Sequence, residues 1–114
     1  MYGLIRHLLL LVIVFGLPSG FVSAAERSEP DALTSQVLEI MKSHCGKCHG
    51  PVRPKSGLML MNLGGISRGG EEGRVVIPGQ IEKSSLWLRV RDNEMPPETP
   101  LDEDEKELIR RWIE

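Results

Sequence analysis

Cys45-Gly46-Lys47-Cys48-His49 stands where an apolar-periodic stretch gives way to a segment rich in glycine and proline. On its amino side Leu33, Val37, Ile40, Met41 and His44 recur at steps of three and four, the period of an amphipathic helix. Ser28-Glu29-Pro30-Asp31 carries the Ser-x-x-acid pattern of a helix start, with proline in the first turn, where its missing N–H costs nothing. The pattern predicts a first helix running to about Cys45. On the carboxyl side, residues 46–57 hold three glycines and two prolines and predict a loop.

The spacing of the two cysteines points to a chemistry. Two thiols three residues apart at a helix end lie on one face and can both reach the vinyl groups of one porphyrin. The histidine that follows is then held under the iron as an axial ligand. Cys-x-x-Cys-His is the signature of covalent c-type haem attachment, so Cys45 and Cys48 are the expected thioether residues and His49 the expected iron ligand. Three rival readings use the same residues. A structural zinc needs four ligands in a tetrahedron; His44, Cys45, Cys48 and His49 number four, but two adjacent pairs wrap poorly round one ion. A thioredoxin-like redox pair calls for a βαβ context, which the pattern lacks. A plain Cys45–Cys48 disulfide is the third.

Composition bounds the rest. The chain has 114 residues, room for one small domain. Met1–His7 carries one firm positive charge at Arg6, and Leu8–Leu17 is an apolar run. A Pro-Ser-Gly break and the small residues Ser23, Ala24 and Ala25 complete the plan of a secretory signal over residues 1–25. An uncleaved anchor is the alternative, since His7 to Ala25 has no formal charge; Pro18 and Gly20 shorten the apolar run and favour the signal. Either way residues 26–114 are expected outside the cytoplasm, with membrane association only if the leader is retained. Those 89 residues hold 13 basic and 16 acidic side chains, which excludes a protein held to nucleic acid by a basic surface. Tyr2, Phe15 and Phe21 fall in the leader, leaving Trp87 and Trp112 as the only aromatic residues beyond it. A domain this small often needs a staple. A buried porphyrin would supply the apolar bulk that the missing aromatics do not.

Further along, Leu58–Leu63 alternates weakly and predicts no definite element, and the glycines between Gly64 and Gly73 predict a flexible turn region. No Gly-Lys-Ser/Thr follows them, so they are not a phosphate loop. A short helix is predicted from Ser84 or Ser85 with Leu86, Trp87 and Val90 inward. Residues 93–100 carry three prolines and must be stiff and non-helical. Asp102, Glu103, Asp104 and Glu105 suit a helix N-terminus, Arg110 and Arg111 its opposite end, and Leu108, Ile109, Trp112 and Ile113 share one apolar face. The two tryptophans are expected in the core, within reach of the porphyrin. The pattern reaches Glu114 without a stop signal, as if the last helix were cut short.

For the sixth iron position, a thioether opposite histidine raises the reduction potential, and Met41, Met59, Met61 and Met95 are the candidates. Met41 lies one turn before Cys45, on the histidine side. Met59 and Met61 reach by length, and packing is their simplest role. Met95 stands in the proline-braced loop, where Pro96 and Pro97 leave it little local freedom, and that rigidity favours it.

With these residues in view, the chain resembles the planctomycete-type cytochrome c domain, a relative of class I cytochrome c. The resemblance covers roughly Val37 to Glu114 and rests on Cys45–Pro51, Lys55-Ser56-Gly57-Leu58 with Leu60, Gly69-Gly70-Glu71, Ile77-Pro78-Gly79, Ser84–Leu86 leading to Val90, Met95-Pro96-Pro97 and Arg111-Trp112-Ile113. It implies an all-α fold of three to four helices round one covalently bound haem c, with His49 and Met95 as axial ligands. It also implies a single-electron carrier served by redox partner proteins, not an enzyme. In that family the domain usually opens a much longer exported protein, so this chain is either a fragment or a short form. The alternative from another class is a small haem enzyme or ligand sensor in which Met95 is displaced.

Overall fold

The structure, a computed structural model, describes residues 28–114; the expected leader over residues 1–25 lies outside them. Helix α1 spans Glu29–Ile40 with Pro30 in its first turn. Ser28 precedes it as expected, but its hydroxyl donates to the Asp31 carboxylate at 2.6 Å rather than capping a backbone N–H. The helix does not stop at Cys45. A π-helical turn, Met41–Cys45, carries it into α2, Gly46–His49, and the junctions at Met41 and Gly46 keep right-handed helical angles. The rod therefore ends at Gly50, whose backbone is extended. A side chain at Gly50 would place its Cβ 2.4 Å from the Gly46 carbonyl oxygen, so the chain can turn out of the helix there only with glycine. The loop expected from Gly46 thus begins four residues later, and a 3₁₀ turn, Lys55–Gly57, interrupts it.

The glycine-rich region holds a helix that its composition hides. α3, Leu63–Arg68, is capped by the Asn62 side chain, which accepts from Gly65 N–H at 2.8 Å. Gly64 and Gly65 are poor helix formers, but a Cβ on Gly65 would meet the Met59 carbonyl oxygen at 2.3 Å. That glycine serves close packing of Met59 over α3 rather than flexibility. The helix stops at Gly69, where φ is +74°.

α4, Ser85–Arg91, buries Leu86, Trp87 and Val90, as the pattern predicts. α5, Glu103–Ile113, opens with a complete capping box: Asp102 accepts from Glu105 N–H while the Glu105 carboxylate accepts from Asp102 N–H. Its core face presents Ile109 and Ile113, both essentially inaccessible, with Leu108 and Trp112 half-buried beside them. α5 packs on α1 and on α4. Trp112 Nε1–H donates to Thr34 Oγ1 across the α1–α5 seam at 3.2 Å, and Gly79 N–H caps the Ile113 carbonyl at 2.7 Å. Val37, Ile40, Met41, Leu60, Ile66 and Leu101 complete the core; each such side chain is worth about 1.5–3 kcal/mol relative to exposure. Counting α1 to α2 as one rod, the described residues form four helices and no strand, the all-α fold expected. None of these helices is long and apolar enough to cross a membrane.

Candidate functional site

The rod's carboxyl end, the 55–60 segment, the 70–75 turn, α4 and the proline loop surround a cavity of about 460 Å³, inside the range of about 300–1,000 Å³ usual for small-molecule and cofactor sites. Cys45, Cys48 and His49 enter it from the rod, and Met95 enters from the proline loop. Leu58, Leu60, Leu86, Val90 and Ile109 supply aliphatic walls. Neither tryptophan is there. Trp87 is buried in the core and Trp112 packs against it, as expected; Trp112 also lines a second, smaller cavity beside Leu63 and Ile66.

His49 is oriented by the backbone. Its Nδ1 lies 3.1 Å from the Leu58 carbonyl oxygen. A carbonyl only accepts, so Nδ1 carries the proton and donates it, which leaves the Nε2 lone pair free in the neutral ring. Leu60 N–H in turn donates to the His49 carbonyl at 2.9 Å, so residues 58–60 hold the histidine from both its ends. This is the outer support that histidine ligands normally require. No sequence signal marks it, because the group that does it is a main-chain oxygen.

Both cysteines carry free thiols and are half-buried. Burial, and then the neighbouring Cys48, push the Cys45 thiol up to about 11; as a thiol it is a small apolar group suited to a cavity wall. The four zinc candidates are not gathered. His44 turns to α5, its Nε2 lying 2.8 Å from Glu105 Oε1, and among the described residues no three His, Cys, Asp or Glu side chains come together as a metal-binding group.

The methionines separate by position. Met95 N–H and Glu94 N–H both donate to the Arg89 carbonyl, at 3.1 and 2.9 Å, which ties the proline loop to the end of α4. Pro96 and Pro97 line the cavity beside Met95. Met59 has its sulfur under the Met61 N–H at 3.3 Å and lies over Gly65, while Met61 rests near Gly46; neither lines the cavity. Met41 does line it, from the cysteine side, with its sulfur 3.9 Å from Cys45 Sγ. A thiol pair on one helix face, an imidazole with a free nitrogen and a thioether from another element, inside aliphatic walls, fit the donor set of a covalently bound haem.

Neither a curated protein nor a solved structure matches the chain. A family model does: residues 45–99 match the family described as Planctomycete cytochrome C. That span takes in the rod's end, the 55–60 segment, the 70–75 turn, α4 and the loop bearing Met95, which supply most of the cavity's lining. Over residues 45–99 the chain matches the planctomycete cytochrome c family, and the cofactor that such a domain implies is haem c.

Proposed function

We propose that this is an exported monohaem cytochrome that passes single electrons, as a carrier or as a module of a longer protein. The observation that carries the reading is the convergence of Cys45, Cys48, His49 and Met95, from two separate segments, on one aliphatic-walled cavity. Haem c in that cavity supplies one-electron chemistry. Cys45 and Cys48 would hold the haem through two thioethers, each S–H adding across a vinyl group with no oxidant needed. His49 offers Nε2 with its ring held by Leu58, and Met95 offers a thioether from the facing loop. Were His49 and Met95 both to hold the iron, no position would be left for a substrate, which supports electron transfer over catalysis. Redox proteins are the partners this reading requires. The leader supports a periplasmic or outer-face location, where covalent attachment of haem c takes place.

One observation favours a second reading. Met95 is 36 % exposed, and its own N–H is held by a single acceptor, the Arg89 carbonyl. A ligand placed so can be displaced, which would make the protein a small haem enzyme or gas sensor.

The test is expression in an exporting host with haem c maturation. Haem that stays on the chain through denaturing electrophoresis, with a six-coordinate low-spin spectrum and the weak far-red Met–Fe(III) band, is the expected result. Covalent haem with a high-spin spectrum selects the second reading, and absence of haem overturns both. Met95→Ala is expected to keep the haem attached, lose the far-red band and lower the reduction potential; an unchanged spectrum would overturn Met95 as the ligand.

A further inference from the structure

The cavity carries cations for which the ligand set has no use. Arg74 precedes Val75 in the 70–75 turn, and Arg89 follows Ser85 by one turn of α4; both line the cavity. A hydrogen bond from Leu86 N–H to the Val75 carbonyl at 3.0 Å fastens the two segments into one wall. No carboxylate lies within ion-pair distance of Arg74 among the described residues, and Arg89 meets only Glu94, at 3.3 Å on the surface. This wall comes from elements other than the rod that bears the cysteines.

A haem held through its two vinyl groups has its two propionates on the opposite edge of the ring. Those carboxylates need cations or donors, because a charge taken from water without a partner is costly. The described cavity has no aromatic hydroxyl or indole to offer them. Guanidinium is the side chain whose planar fork matches a carboxylate with two parallel hydrogen bonds. The other charged groups lining the cavity are Lys55, a further cation on the 3₁₀ turn; His44, whose ring is taken by Glu105; and Glu71 and Glu72, which flank Arg74 and oppose an anion. With Glu71 and Glu72 close by, an anion here is best held directly on a cation, and Arg74 and Arg89 are the two that share one fastened wall.

Resting on the haem c reading above, we propose that Arg74 and Arg89 form a carboxylate-binding subsite that receives the haem propionates and raises the reduction potential. Arg89 then has a double part. Its carbonyl anchors the Met95 loop, while its guanidinium leaves Glu94 for a propionate. A guanidinium at the haem edge disfavours the additional positive charge of ferric iron, so its removal lowers the potential.

The experiment uses the matured holoprotein with Arg74→Gln, Arg89→Gln and, as a surface control, Arg68→Gln, which ends α3 away from the cavity. Reduction potentials and the propionate bending bands in resonance Raman are recorded for each. Arg74→Gln and Arg89→Gln are expected to shift the ferric–ferrous equilibrium about tenfold toward ferric, a fall of about 59 mV for one electron, and to move the propionate bands. Arg68→Gln is expected to leave the bands in place. Arg74→Lys and Arg89→Lys keep the charge but lose the fork, and are expected to recover most of the potential with the bands still moved. Covalent haem whose bands are the same in every variant overturns the subsite and leaves the haem reading intact. Loss of haem from the unmutated protein overturns both.

Discussion

Ser84 shows how much a single hydroxyl can organise. It is fully buried; its oxygen accepts from Ile77 N–H at 2.9 Å and its proton faces the carbonyls of Gln80 and Ile77 at 3.0 and 3.3 Å. Ser84→Ala strands the Ile77 N–H inside the domain, and urea unfolding should show a loss of about 1–3 kcal/mol. Cys45 makes a different prediction, for the chain before it receives haem. Burial raises its thiol from an ordinary 9.0 to about 11, so the neutral thiol is the form that the fold favours. That contribution is complete below about pH 9 and is lost as the pH rises toward 11. In the haem-free chain, alkylation of Cys45 by iodoacetamide near pH 8 should be roughly 100-fold slower at most than in urea, and the gap should close above pH 11. Equal rates at pH 8 would mean that the thiol is not buried. Once Cys45 is a thioether the dependence vanishes, because a thioether has no proton to lose.

At the scale of elements, Glu105 joins two structures. One carboxylate oxygen closes the capping box of α5 and the other holds His44, beside the first cysteine. Asp102→Ala removes the principal cap and is expected to cost about 1 kcal/mol. Glu105→Ala loses both its bonds and should cost more, whereas Asp104→Ala, exposed in the same turn, should stay within about 0.5 kcal/mol; thermal melts of the three variants rank them. α1, α4 and α5 were readable in the sequence because Val37, Leu86, Trp87, Val90, Ile109 and Ile113 repeat at helical spacing and bury one face. α3 was not, since the glycine that lets it touch Met59 is the residue that local propensity counts against a helix. The Cys-x-x-Cys-His stretch was readable because its chemistry resides in side chains at fixed spacing. The Leu58 carbonyl that orients His49 was invisible because any residue has one, and Arg74 and Arg89 were invisible because two loose cations form no pattern until the turn and α4 bring them to one wall.

At the scale of the whole molecule, the rod, α4, α5 and the proline loop border a cavity on one side of the packed core. The rod, α4 and α5 contribute Met41, Leu86, Val90 and Ile109 to its walls while those same residues also belong to the core. Filling the cavity therefore completes the core itself. Circular dichroism melts of matured and haem-free chain should differ by well over the roughly 4–8 °C that about 1 kcal/mol is worth in a domain of this size. Equal midpoints would mean that the walls close without the cofactor. The absence of Trp87 and Trp112 from those walls reaches further than packing. An oxidised indole or phenol ring can serve as a stepping stone for charge, and the walls described here have neither. On the electron-transfer reading proposed above, an electron would cross saturated carbon or the open rim in a single tunnelling event, and turnover in a relay would be governed by how closely a partner's own redox centre approaches that rim.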